Sequence, residues 1–291
     1  MMQVLFNIIY TTAIYMLVSV SFSLIYYPVK FFHIAHAAII TLSAYLVYLF
    51  LNKFSFSLYL SIAFAILITI FIGIITEVLV YRQLRKKNVT SLSYFITAIG
   101  IYVVIQNCII LCFGNNTKII NTSKVSVGNQ FFEAYITNIQ IITILVSVVL
   151  FIFVNLFLST TKTGKSIRAV ASNSNLCNLY GISSNKVILL SFGLGSMLAA
   201  IAGILSAMNT NVTPNFGFNL FMYGIVAMII SGVGSTRSLI VGSLIVASAQ
   251  HLSAFFLDTK WMEAATYMIL ILFLIWKPLG FSGKALKKLE V

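Results

Sequence analysis

Few residues in this chain could do chemistry, and most of them stand inside apolar runs. His33 and His36 lie one helical turn apart in KFFHIAHAAIITLSAY, just after Pro28. A proline there keeps a helix from running smoothly through. The stretch therefore reads as a broken-helix entry, the kind that exposes backbone groups to a cavity; two histidines at a membrane surface fit the same spacing. Glu77, in GIITEVLVYRQLR, stands about one turn before Arg82, so its carboxylate is expected to reach the interface beside that cation rather than to serve transport. Gln106 and Asn107, in IGIYVVIQNCII, sit deep in an apolar run. Neighbours cannot both face one direction, so at least one is expected to bond across to another helix. Cys108 and Cys112 are one helical turn apart, and neither they nor Cys177 has a His or acid at ligand spacing. Packing, not a metal, is their reading.

Other chemistry is missing. There is no HExxH, GxSxG or GxxxxGK[ST], no paired membrane carboxylate, and the GxG at 193–195 lies in an apolar run. A lipid-handling enzyme using His33 and His36 as acid–base groups lacks a carboxylate or nucleophile beside them. No cofactor is implied. Active transport would draw on an ion gradient or on another subunit. Ion-coupled carriers keep acids within the membrane, whereas here only Glu77 and Glu263 stand near helix ends. That favours a partner ATPase over a self-sufficient carrier.

The elements that hold these residues follow from composition. Of 291 residues, 60% are hydrophobic and 8% charged, against about a quarter charged in a soluble domain. The chain must present apolar side chains to lipid. Its net charge of +13 sits in short loops rather than on one face, which argues for a positive-inside bias and against nucleic acid. A spanning helix needs roughly 20 apolar residues. Runs near that length lie at about 4–26, 34–52, 56–80, 92–113, 137–158, 187–208, 218–233, 238–257 and 261–276. The expectation is a single all-α polytopic membrane domain over 1–291, with eight to ten segments, some broken or re-entrant. Counting spans puts Lys30, Arg82 to Lys87, the basic stretch 161–186 and the tail cations Lys277, Lys284, Lys287 and Lys288 on one side, read as cytoplasmic. Glu133, Asp258 and Glu263 fall opposite, the N-terminus is outside and the C-terminus inside. The loop at about 114–136, with Phe131 and Phe132, is the longest on the outer side. Gly195, Ala199 and Gly203 form a small-xxx-small face. Gly232 and Gly234 break a segment just before Arg237, either opening backbone donors to a ligand or marking a tight interhelical turn.

FFHIAHAAI (31–39), EVLVYRQLR (77–85), TAIGIYVVIQN (97–107), GKSIRAVASNSNLCNLYGI (164–182), SGVGSTRSLIVG (231–242) and KPLGFSG (277–283) stand in this order along the chain. Through them the chain resembles, over nearly its full length, the LivH-type permease subunits of branched-chain amino acid ABC importers. It departs from the family pattern at His33, Ala37, Gln83 and Ser231 and lacks the usual acid at 173–175. The resemblance implies a LivM-like second permease, two cytoplasmic ATPases, an extracytoplasmic binding protein and a bacterial cytoplasmic (inner) membrane setting. The cargo it implies is branched-chain or related amino acids, with urea, amides or another small polar solute as alternatives. It assigns ATPase coupling to Gly164, Lys165, Arg168, Ala169, Gly181 and Ile182. Candidates for the solute path are His33, His36, Gln106, Asn107, Ser231, Gly232, Gly234 and Ser235. The residues of the coupling stretch suit that role. Gly164 lets the chain leave the membrane, and a short helix near 165–171 presents Ile167 and Val170 on one side and Lys165 and Arg168 on the other. A turn follows at 172–175, and Gly181 stands at a typical position just past a second helix.

Overall fold

A computed structural model describes residues 1–120, 128–131, 134–232 and 234–282. Phe132, Glu133, Lys284, Lys287 and Lys288, all used above, lie outside the described residues.

Helix α1 (Met2–Val29) is followed by α2 (Ala35–Tyr48), α3 (Leu58–Thr76), α4 (Arg82–Lys86) and α5 (Ser91–Phe113). A small antiparallel ribbon, β1 (Asn129–Phe131) with β2 (Ala134–Ile136), pairs Gln130 with Tyr135. Then come α6 (Asn138–Thr160), α7 (Lys162–Ser172), α8 (Ser174–Leu179), α9 (Ser184–Asn209), α10 (Phe216–Ser231), α11 (Leu239–Phe256) and α12 (Met262–Trp276). Wide-turned π segments extend α2 over Leu49–Lys53 and join α3 to α4 over Glu77–Tyr81. Among the described residues, eight helices are long and apolar enough to cross a membrane, and α10 is a shorter apolar one. The nine apolar runs thus all become helices, in an all-α polytopic bundle.

The layering follows from side-chain size. Helices α1, α2, α9 and α10 form the interior, and α1 packs on α9, α10, α11 and α6. The small-residue face of α9 makes this possible. A Cβ on Gly203 would stand 2.5 Å from the Ile40 carbonyl oxygen, and one on Gly195 would stand 2.6 Å from Ile25. Several hydroxyls in these buried helices return their protons to their own backbones: Ser21 donates to the Val18 carbonyl at 2.7 Å and Ser43 to that of Ile40 at 2.8 Å. A polar side chain in lipid is tolerated when it is satisfied in this way.

The interruption after α1 is real, and Pro28 is accommodated in its last turn. Lys30 closes the helix in the left-handed region at φ 56°, its N–H bonding the Tyr26 carbonyl at 2.8 Å. At the other end of α1, Gln3 behaves like an added strand. It accepts from the Tyr135 N–H at 2.9 Å and donates to the Tyr135 carbonyl at 3.1 Å. Lys118 and Val212 exchange backbone hydrogen bonds at 2.9 Å, tying the loop after α5 to the one before α10.

Candidate functional site

The basic stretch between α6 and α9 folds into two short helices. Thr161 caps α7 by accepting from the Gly164 N–H at 2.9 Å. Ile167 and Val170 are buried, whereas Lys165 and Arg168 are exposed. The buried edge packs on α6, α1 and α9. Gly164 serves close packing rather than exit from the bundle: the chain has already turned at Thr161, and a Cβ at 164 would run into the Phe157 carbonyl oxygen. The turn is tighter than 172–175, because Asn173 alone separates the helices. Its side chain accepts from the Leu176 N–H at 3.0 Å, an ordinary N-cap for an Asn or an Asp. Gly181 has φ 81° and ends the pair. Ser184 then anchors α8 to α9: its N–H donates to Asn178 Oδ1 at 3.0 Å, and its hydroxyl lies 2.9 Å from the Ser174 carbonyl oxygen. Ala169 and Ile182 are half-buried. Away from this support, Leu176, Leu179 and Tyr180 of α8 and its C-terminal turn are exposed, as are the α7 cations. The unit is buried where it meets the bundle and both apolar and basic where it does not.

The solute-path candidates are not brought together. His33 and His36 are fully buried, which removes the surface reading, and neither lines a described cavity. Their rings sit among Phe22, Phe31, Tyr81, Phe192 and Phe221. His33 Nδ1 is 2.8 Å from the Tyr81 hydroxyl, and His36 Nε2 is 3.0 Å from that of Ser21. The pair seals the α1–α2 interruption rather than opening it. Gln106 bonds across to Asn215 at the start of α10, as the sequence predicts, while Asn107 donates to the Val103 carbonyl of its own helix at 2.8 Å and faces outward. Ser231, Gly232, Gly234 and Ser235 fall at one turn. There the Phe281 N–H bonds the Ile230 carbonyl and the Ser282 N–H that of Ser231, both at 3.0 Å. Gly232, at φ 84°, has Leu279 and Ser282 directly against it. The glycine break is thus a docking seat for the turn after α12.

Glu77 corrects its expectation. Its carboxylate is buried and pairs with Arg85, one contact being 3.2 Å, while Arg82 is exposed. The π segment widens the turn, so the residue eight positions on, not five, swings back over Glu77. Tyr81, in the same segment, is thereby aimed at His33.

Sequence reasoning missed an open cavity of about 320 Å³ between α1, the end of α9 and α10. Tyr10, Thr11, Tyr15, Asn219 and Tyr223 contribute polar groups, with Ser206, Thr210 and Thr213 from the α9–α10 corner, and Ile14, Phe216 and Leu220 form its apolar wall. The Tyr15 hydroxyl donates to Gln250 Oε1 at 2.5 Å, Gln250 Nε2 donates to Thr266 at 2.8 Å, and Thr11 lies 2.7 Å from His251 Nε2. Tyr223 donates to Glu263 at 3.1 Å. Gln250 and His251 are adjacent polar residues deep in an apolar run, the same signal that singled out Gln106 and Asn107.

Known proteins place this architecture. A chain from Pseudomonas aeruginosa, the high-affinity branched-chain amino acid transport system permease protein BraD, is 28% identical over 97% of this chain and 96% of its own length. The LivH permease of the corresponding Escherichia coli system is 27% identical over the same shares. The fructose import permease FruF of Bifidobacterium longum is 30% identical over 66% of this chain and 54% of its own length. No solved structure matches. The family model described as the permease component of the branched-chain amino acid transport system matches residues 4–275. A multi-pass helical bundle with no nucleotide motif in its sequence, matched over nearly its whole length, belongs to that family of ABC importer permeases.

Proposed function

We propose that this chain forms the membrane path of an importer for branched-chain or related amino acids. Two cytoplasmic ATPases would drive it, an extracytoplasmic binding protein would load it, and a LivM-like second permease would complete it. The observation that carries the reading is the α7–α8 unit. Its buried edge rests on α1 and α9, the innermost helices, while Leu176, Leu179 and Tyr180 on one helix and Lys165 and Arg168 on the other stay exposed. An ATPase cleft gripping those exposed residues moves α1 and α9 directly. The positive-inside bias orients the bundle with this unit, Lys30, the α4 loop and the C-terminus in the cytoplasm.

In vesicles, the chain alone moves no leucine, and the assembly with its partners accumulates it with ATP. Arg168→Glu leaves insertion and assembly intact, while ATP hydrolysis no longer produces uptake. Leucine moved against a gradient by the chain alone would sink the proposal. The partial likeness to FruF favours a sugar as the second reading of the cargo. Calorimetry of the cognate binding protein with leucine, urea and fructose separates the readings, since that protein sets the cargo in such systems.

A further inference from the structure

We infer that the cavity between α1, α9 and α10 is where the solute rests on its way through this chain, and that it takes a small solute bearing an amino group and an aliphatic side chain. The inference rests on the transport reading above and gives the solute a place within it.

The size is right for one small molecule, at about 320 Å³. Tyr10, Thr11, Tyr15, Asn219 and Tyr223 form a wall that is polar but uncharged, facing the apolar surface of Ile14, Phe216 and Leu220. A zwitterion must leave the site as readily as it enters, and a wall without fixed charge traps neither of its ends. The nearest carboxylate on this wall's hydrogen-bond network, Glu263, stands one hydrogen bond behind Tyr223. It biases the potential there toward an amino group. Asn219 and Thr210 are exposed, so the cavity is open.

Its position also fits a coupled step. The cavity lies between the first half of α1 and the last turns of α9, and α7 packs on these two helices. A movement imposed on α7 therefore reaches the cavity walls through two continuous helices. Tyr15 and Tyr223 meet at a tilt, 5.4 Å between ring centres, and are tethered by Gln250 and Glu263, on two other elements. These bonds tie the α1 wall to α11 and the α10 wall to α12, so a push through α7 shifts the α9 wall against them.

The test places a cysteine at the open wall, Asn219→Cys, in a chain carrying Cys108→Ser, Cys112→Ser and Cys177→Ser, assembled with its partner subunits in vesicles. A membrane-impermeant thiol reagent is expected to label it. Leucine at saturating concentration should slow labelling at least fivefold, and fructose should leave it unchanged. No slowing by leucine, or equal slowing by fructose, overturns the inference. So does failure to label the introduced thiol in an assembly that still imports leucine. A bulky variant, Asn219→Trp, gives an independent reading: uptake falls at least tenfold while ATP hydrolysis stimulated by the loaded binding protein stays within twofold. Uptake within twofold of the parent overturns the inference. If the unmodified assembly shows no ATP-dependent uptake of leucine, it is the transport reading that fails instead.

Discussion

The inner helices and the peripheral helices obey opposite rules. In α1 the most apolar stretch is 78% buried and in α9 67%, against 11% in α5 and 6% in the span ending at Trp276. Yet α3 and α6, mostly exposed, are the most apolar spans among the described residues, and the buried α1 and α9 are less so. The interior is built from Ser19, Ser21, Ser23, Gly195, Ala199 and Gly203, and the outside from residues such as Leu67, Phe71, Leu145 and Val149. In lipid no hydrophobic force separates core from surface. Close packing and satisfied hydroxyls do, and small residues permit both. High apolarity thus marks α3 and α6 as facing lipid or a partner subunit, although the Thr259–Trp276 span is exposed without it, and small residues mark where the central helices approach.

This contrast can be broken at its weakest seam. Glu77 is the one buried carboxylate among the described residues, and it sits on a peripheral helix. Arg85→Leu strands its charge and should cost about 3 kcal/mol, read as a loss of thermal stability in detergent, whereas Arg82→Leu should change little. Adding Glu77→Gln to Arg85→Leu should recover much of the loss. Equal effects at 82 and 85 would mean the π turn does not aim residue 85 as described. Gly203→Val should cost about 2 kcal/mol by overpacking against α2, while Gly100→Val on α5, where a Cβ meets nothing within 4 Å, should be tolerated. Tyr81→Phe removes the partner of His33 and should cost about 1 kcal/mol; His33→Phe in that background should then lose less than it does alone. Smallest of all, Leu145→Ala on α6, 61% exposed, should stay within about 0.5 kcal/mol. A larger loss there would point to a protein neighbour on α6 rather than lipid.

Much was legible before any coordinates. Apolar runs placed every spanning helix, because a span must satisfy its backbone internally and so needs a continuous helical stretch. The α7–α8 unit was legible because Gly181 and the alternation of Ile167 and Val170 with Lys165 and Arg168 are local signals. The solute-path candidates were less so. His33 and His36 looked like cavity groups from their residue types, but burial depends on Phe192 and Phe221, which lie more than 150 residues away in the chain. Glu77 was assigned to Arg82 by ordinary helical spacing, which a π turn violates without a reliable mark in the sequence. The cavity was missed because α1 meets the α9–α10 corner only in the tertiary structure, nearly two hundred residues further along the chain.

What the sequence determined by itself was the environment and the local folds: a chain too apolar for water, with helices long enough to cross lipid and one basic helical pair kept outside it. Those follow from composition and from spacing within a single element. Only the tertiary structure decided which helices are central, that two histidines close a seam, and that Tyr10, Tyr15, Asn219 and Tyr223 meet around an open space. Those depend on how small residues in one helix let another approach, and that contact is between segments the chain order does not join.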